Sequence, residues 1–130
     1  MVEIYLVFAA LLVGSFINLA ADRLPRGESI VRPRSHCRGC GRRLNLVDLL
    51  PVAGYAIRGG RCATCRVPIG ILSPLVELTA GLCMALPLLT LDLWPGGLIG
   101  LILIAAFGVI VISMAMRKPL DAGAERGLEV

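Results

Sequence analysis

The stretches His36-Cys37-Arg38-Gly39-Cys40-Gly41 and Arg61-Cys62-Ala63-Thr64-Cys65-Arg66 decide how this chain is read. They carry two CxxC pairs separated by 21 residues. Each pair can close a tight knuckle that offers two sulfurs to one tetrahedral ion, so the spacing predicts a four-thiolate zinc site made by Cys37, Cys40, Cys62 and Cys65. Gly39 and Gly41 give the first knuckle permissive backbone, whereas Arg66 stands where a glycine is expected after Cys65. The second knuckle is therefore expected to be the less regular of the two. Two disulfides are the competing reading for the four cysteines, and His36 is a competing ligand.

Outward from this segment the chain is too apolar for a soluble domain. Of its 130 residues 57% are hydrophobic, and the mean hydropathy is +0.84. These values predict an all-α integral membrane protein. A net charge of +4 and a pI near 9.1 would also fit a nucleic-acid binder. Two tyrosines, one tryptophan and three phenylalanines leave too few stacking platforms for that, so no nucleic-acid partner is expected.

Three transmembrane helices are expected. Ile4 to Ala21 is an uncharged run of 18 residues, long enough to cross a bilayer. Glu3 precedes it and arginines follow it, the reverse of a cleaved signal peptide. The chain then divides into a first span at 1–22, a zinc-ribbon-like loop at 23–68, a second span at 69–92, an outer turn at 93–97, a third span at 98–116 and a tail at 117–130 expected to lack fixed structure. Between Asp22 and Pro68 ten arginines face only three acids, Asp22, Glu28 and Asp48, and the remaining bases, Arg117, Lys118 and Arg126, follow the third span. Basic residues are retained on the cytoplasmic side, which puts the loop and C-terminus in the cytoplasm and the N-terminus outside. A reducing compartment favours thiolate and zinc over disulfide.

Polar residues within the spans are informative because hydrocarbon offers them no partner. Gly14, Ser15, Asn18 and Asp22 fall on one face of the first helix, which should meet protein and not lipid. Glu77 enters the second span one turn after Ser73-Pro74. With Asn18 and Arg23 at similar depth, a polar cluster of Asn18, Arg23 and Glu77 is expected, with structural locking favoured over catalysis. Between the knuckles, Leu44 to Ile57 is apolar but, at 14 residues, too short to span, and is read as a strand-turn or short helix against the zinc site and the inner membrane surface. The surrounding arginines would either meet anionic membrane lipid headgroups or form a solvated, positive rim with no specific partner.

Taken together, Gly14-Ser15-Phe16-Ile17-Asn18, Arg23-Leu24-Pro25, Cys37-Arg-Gly-Cys40, Arg58-Gly-Gly-Arg61-Cys62-Ala-Thr-Cys65 and Ser73-Pro74-Leu75-Val76-Glu77-Leu78 resemble the N-terminal domain of bacterial type IV prepilin peptidases over residues 10 to 82. The resemblance implies the bacterial inner membrane. Family members cleave the leader from prepilins and N-methylate the new terminus with S-adenosylmethionine, and the peptidase activity is implied to belong to two aspartates of later helices. The nearest counterpart of the first, Ile112 to Pro119, contains no aspartate, and the second, a GxGD motif, has no counterpart here. An aspartic dyad needs two carboxylates that share a proton.

Three functions follow as expectations. The first is a non-proteolytic docking or scaffolding subunit that receives a partner or substrate helix through the zinc-stabilised loop. A second is half of a split prepilin peptidase, or a stand-alone pilin N-methyltransferase using S-adenosylmethionine. Last comes an accessory subunit whose small-residue faces pack against the helices of a larger membrane complex.

Overall fold

The computed structural model describes residues 1–32 and 34–117, so all of the expected tail after Arg117 lies outside the described residues. Helix α1 spans Val2–Arg23, α2 Ala53–Ile57, α3 Leu72–Thr90 and α4 Leu93–Arg117. Among the described residues there is no strand, only isolated bridges pairing His36 with Arg43 and Arg61 with Pro68. The long helices α1, α3 and α4 are each long and apolar enough to cross a membrane, as the sequence predicts.

Apolar continuity makes α1, and its ends are chemically marked. Glu3 lies in the first turn and Arg23 in the last, each opposite in sign to the adjacent helix pole. A short 3-10 turn at Leu24–Arg26 holds Pro25, and Gly27 closes it with a left-handed φ of 66°. The apolar span that begins at Val2 ends with this turn, at Arg26.

Glycines set the spacing of the bundle. A Cβ on Gly14 of α1 would stand 2.8 Å from both the Ala80 Cβ and the Glu77 Cα of α3, and one on Gly100 of α4 would stand 2.7 Å from the Met84 sulfur. Gly108 of α4 likewise receives Ile17 of α1. Ala10, Ile17, Met84 and Ile104 form the buried core where the three helices meet. Close backbone approach through small residues supplies the packing that the hydrophobic effect cannot supply within lipid. No more than 28% of any span is buried in the bundle, so most of each helix faces outward.

Residues 93–97, expected as a turn, are instead the first turn of α4. Pro95 fits there because its missing N–H falls where an α-helix has no carbonyl to bond. Gly96 belongs there for a different reason: its Cβ would stand 2.8 Å from the Pro87 carbonyl oxygen of α3. The reversal is thus compressed to Leu91 and Asp92, and the Gly96 amide bonds back to the Asp92 carbonyl at 2.9 Å.

Candidate metal centre

Each CxxC pair lies in a small hairpin, and the two hairpins repeat the same bonds. In the first, the Cys37 amide donates to the Arg42 carbonyl at 2.8 Å, the Gly41 amide to the Cys37 carbonyl at 2.8 Å, and the Leu44 amide to the Ser35 carbonyl at 3.0 Å. In the second, Cys62 donates to Val67 at 2.9 Å, Arg66 to Cys62 at 3.2 Å, and Ile69 to Gly60 at 2.7 Å. Arg66 adopts a φ of 60°, beside 70° for Gly41. The expected irregularity is therefore absent: the arginine takes the left-handed conformation that glycine takes in the first knuckle. Gly39 has another use, since a Cβ there would stand 2.9 Å from Val67 and 3.3 Å from the Cys65 sulfur. It lets the first knuckle close onto the second.

The closure brings all four sulfurs within 4.8 Å of one another. Cys37 and Cys65 sulfurs are 3.6 Å apart and those of Cys40 and Cys62 are 4.0 Å apart, too far for covalent bonds, and all four cysteines are free. Cys37 and Cys62 are buried, whereas Cys40 is exposed. In the absence of metal, the amides of Cys65 and then Thr64 lower the Cys62 thiol to about 6. The Val67 amide favours the Cys65 thiolate too, but burial and the neighbouring thiols Cys37, Cys40 and Cys62 push that group up to about 11. The backbone amides thus favour the thiolate at Cys62, the form that metal ligation requires. His36 turns away from a ligand role: its Nδ1 meets the Arg34 carbonyl at 3.0 Å.

Asp48 ties the centre to the segment between the knuckles. Its carboxylate accepts from Arg58 Nε at 2.6 Å, Arg42 Nη2 at 2.7 Å and the Asn45 amide at 3.0 Å. Burial pushes this carboxyl up, but the Asn45 amide and the two guanidinium groups outweigh it and hold the group below the usual carboxylate range. Arg42 stands between two acids: the bond to Asp48 is the main influence keeping it charged, and Cys62 adds to it.

Contacts from the loop to α1 and α3 fix the centre relative to the helix bundle. Asp22, at the end of α1, pairs with Arg26 at 2.9 Å and with Arg38 inside the first knuckle. Glu77, 7% exposed within α3, accepts from the Ser15 hydroxyl at 2.8 Å and from the Val52 amide at 2.7 Å. Val52 has a φ of 55°, a conformation rarely taken by β-branched residues. Gly54 lets this turn fold on itself, since a Cβ there would stand 2.6 Å from the Val47 carbonyl oxygen.

Asn18, Arg23 and Glu77 have separate partners. Asn18 Nδ2 donates to Ser73 Oγ at 2.9 Å, and Arg23, only 6% exposed, donates from Nη1 to the Ser29 carbonyl at 2.8 Å. No hydrogen bond or ion pair joins any two of the three among the described residues. Sequence reasoning missed Val52, whose contribution is a backbone amide and leaves no trace in residue type. It also passed over Asp48, although a single acid in an apolar stretch amid ten arginines is a readable signal.

Residues 8–91 match the family model described as the Bacterial Peptidase A24 N-terminal domain. The chain is 43% identical over 79 residues to the "Prepilin leader peptidase/N-methyltransferase" of Myxococcus xanthus, covering 61% of this chain and 24% of that one. With proteins of the same name from Burkholderia pseudomallei strain 1026b and Bacillus subtilis it shares 38% identity over 97 residues and 35% over 85, covering 75% and 65% of this chain. Those alignments take in 29% and 34% of the two relatives, so the chain spans about a quarter to a third of each of the three proteins. No solved structure matches. The matched residues run from the middle of α1 through both knuckles to the end of α3, taking in all four cysteines, Asn18, Arg23 and Glu77, and on that match this chain belongs to the bacterial peptidase A24 N-terminal domain family.

Proposed function

We propose that this chain is a docking module of the bacterial inner membrane, in which a structural zinc ion clamps a cytoplasmic loop onto three helices to receive a partner. The observation that carries the reading is the four-sulfur cluster anchored to both α1 and α3 through Asp22–Arg38 and Glu77–Val52. Tetrahedral zinc with bonds of about 2.3 Å needs sulfurs about 3.8 Å apart, and the sulfurs here lie 3.6 and 4.0 Å apart in two pairs and within 4.8 Å overall, close enough for a small contraction to seat the ion. Cys37, Cys40, Cys62 and Cys65 would hold the ion, which fills its tetrahedron with protein ligands and so supplies rigidity and no open position for chemistry. Glu77 is the one buried carboxylate of the described spans, and both its oxygens are engaged in hydrogen bonds, which suits a locking role over a proton-sharing one. The arginine-rich loop faces the cytoplasm on the charge rule.

Partners of the right kind are other membrane helices, including pilin-like substrates, because most of each span is free to meet them. Purification in mild detergent followed by elemental analysis tests the clamp: one zinc per chain is expected, lost in Cys37→Ser/Cys62→Ser together with protease resistance of the loop. Metal-free protein with an equally resistant loop defeats it.

The names of the relatives favour a second reading. A leader peptidase and N-methyltransferase would use this domain as its substrate-side portion, with the catalytic carboxylates in the part of the relatives that this chain does not span. Co-expression with that remaining part, followed by incubation with a prepilin and labelled S-adenosylmethionine, should then give cleavage and methyl transfer that neither portion gives alone.

A further inference from the structure

A cleft of about 730 Å³ opens where α1 ends, between the helix and the two arms of the first knuckle. Its wall combines three arginines, Arg23, Arg34 and Arg43, with apolar side chains such as Leu19, Leu44 and Val47, and it includes no carboxylate. Arg23 is the last residue of α1 and is buried, with Nη1 held by the Ser29 carbonyl. Arg34 and Arg43 are exposed, and neither pairs with a carboxylate among the described residues. Two further lining residues, Val31 and Leu46, are 76% and 84% exposed. Large apolar side chains so exposed in an arginine-rich loop are unfavourable in water and favourable at the end of a span, where acyl chains begin.

We propose that this cleft binds one anionic phospholipid, with the headgroup phosphate between Arg34 and Arg43 and the upper acyl chain along Leu44, Leu46 and Val47. The charge complementarity selects a net-negative headgroup, since a zwitterionic one would bring a cation into a pocket that already holds three guanidinium groups. The apolar wall selects a lipid over a free anion. Arg23, at the floor, sets the depth at which the phosphate lies relative to α1. This occupant is independent of whether the domain docks a partner or serves an enzyme.

The test uses the full chain in detergent, titrated with phosphatidylglycerol or with phosphatidylcholine of the same acyl chains and read by native mass spectrometry. One tightly bound phosphatidylglycerol per chain is expected, with phosphatidylcholine weaker by an order of magnitude or more. Each of R34Q and R43Q should weaken phosphatidylglycerol about five-fold and the double variant about thirty-fold, the effect of losing one and two surface charges at a headgroup. R32Q/R117Q removes two charges that do not line the cleft and should leave the affinity within about two-fold. Circular dichroism of every variant guards against unfolding, and the single variants suffice if the double one is unstable. Equal weakening by R32Q/R117Q would show diffuse attraction and overturn the proposal. So would displacement of the lipid by inorganic phosphate, or by a soluble acidic peptide at similar concentration.

Discussion

Arg66 bears a backbone strain that its counterpart Gly41 avoids, because a side chain in the left-handed region crowds its own carbonyl. Arg66→Gly should therefore stabilise the second knuckle by about 1 kcal/mol, seen as slower metal release to a chromogenic chelator. The sequence showed the missing glycine but not the consequence, since whether a residue is forced into positive φ depends on hairpin bonds that composition does not reveal. Asp48 gives a pH prediction with a definite sign. Its carboxyl is held below the usual carboxylate range, so the folded state binds the proton less readily than the unfolded chain. The stability it contributes is complete above about pH 4 and is lost as pH falls through the lowered folded value. Loop protection against protease in the Asp48→Asn variant should be weaker than wild type at pH 7 and converge with it as the pH drops below about 4. Divergence that grows on acidification would contradict this role.

Elements add a constraint that single residues do not show. α1 and α3 touch through Gly14, and the contact is with the Glu77 backbone as well as the Ala80 side chain. Gly14→Ala should cost about 1–3 kcal/mol by forcing the helices apart, and Ala80→Gly should rescue it only in part because the Glu77 Cα remains in place. Detergent-resistance or steric-trapping measurements on the two variants read this out. Full rescue would mean that Ala80 alone sets the spacing. Glu77 belongs to the same seam. Glu77→Gln can still accept from one donor but brings its amide against the other, and about 1–3 kcal/mol should be lost, appearing as faster hydrogen exchange at the Val52 amide. The three helices were legible from uninterrupted apolar runs, and the face carrying Gly14, Ser15 and Asn18 was legible from helical spacing. The start of α4 was not, because Trp94, Pro95 and two glycines look like turn residues until the tolerance of a helix's first turn for proline is weighed. Which partners Asn18, Arg23 and Glu77 take was not legible either: equal depth in a bundle does not set which way each side chain points, and they bond to Ser73, to Ser29, and to Ser15 and Val52 respectively.

Across the whole molecule, the loop and the helices rest on different forces. The helices are held by apolar runs and glycine seams, while the knuckle region has few strand bonds and two buried cysteines for a core. Withdrawal of the proposed zinc should consequently melt the loop and spare the bundle, because structural zinc supplies about 10 kcal/mol or more of folding free energy to small sites. Far-ultraviolet circular dichroism should keep most of its helical signal after chelation, while trypsin gains access to the arginines between Arg32 and Arg66. Cooperative loss of both would show that the helices depend on the clamp. The four cysteines and their coming together were legible in spacing alone; the anchoring bonds from Arg38 and Val52 were not, since one arginine among ten and a backbone amide carry no motif that names their partners.

The slender connection at Glu77 and Asp22 also bears on biogenesis. If the four sulfurs take the zinc proposed above, a nascent chain can be threaded into the bilayer with its cysteines still bare, and insertion and metallation become two separate maturation steps with a window between them. Within that window an inserted but unmetallated chain presents an unfolded, arginine-rich segment to quality-control proteases, and the supply of zinc, not the success of insertion, would set how much mature protein survives.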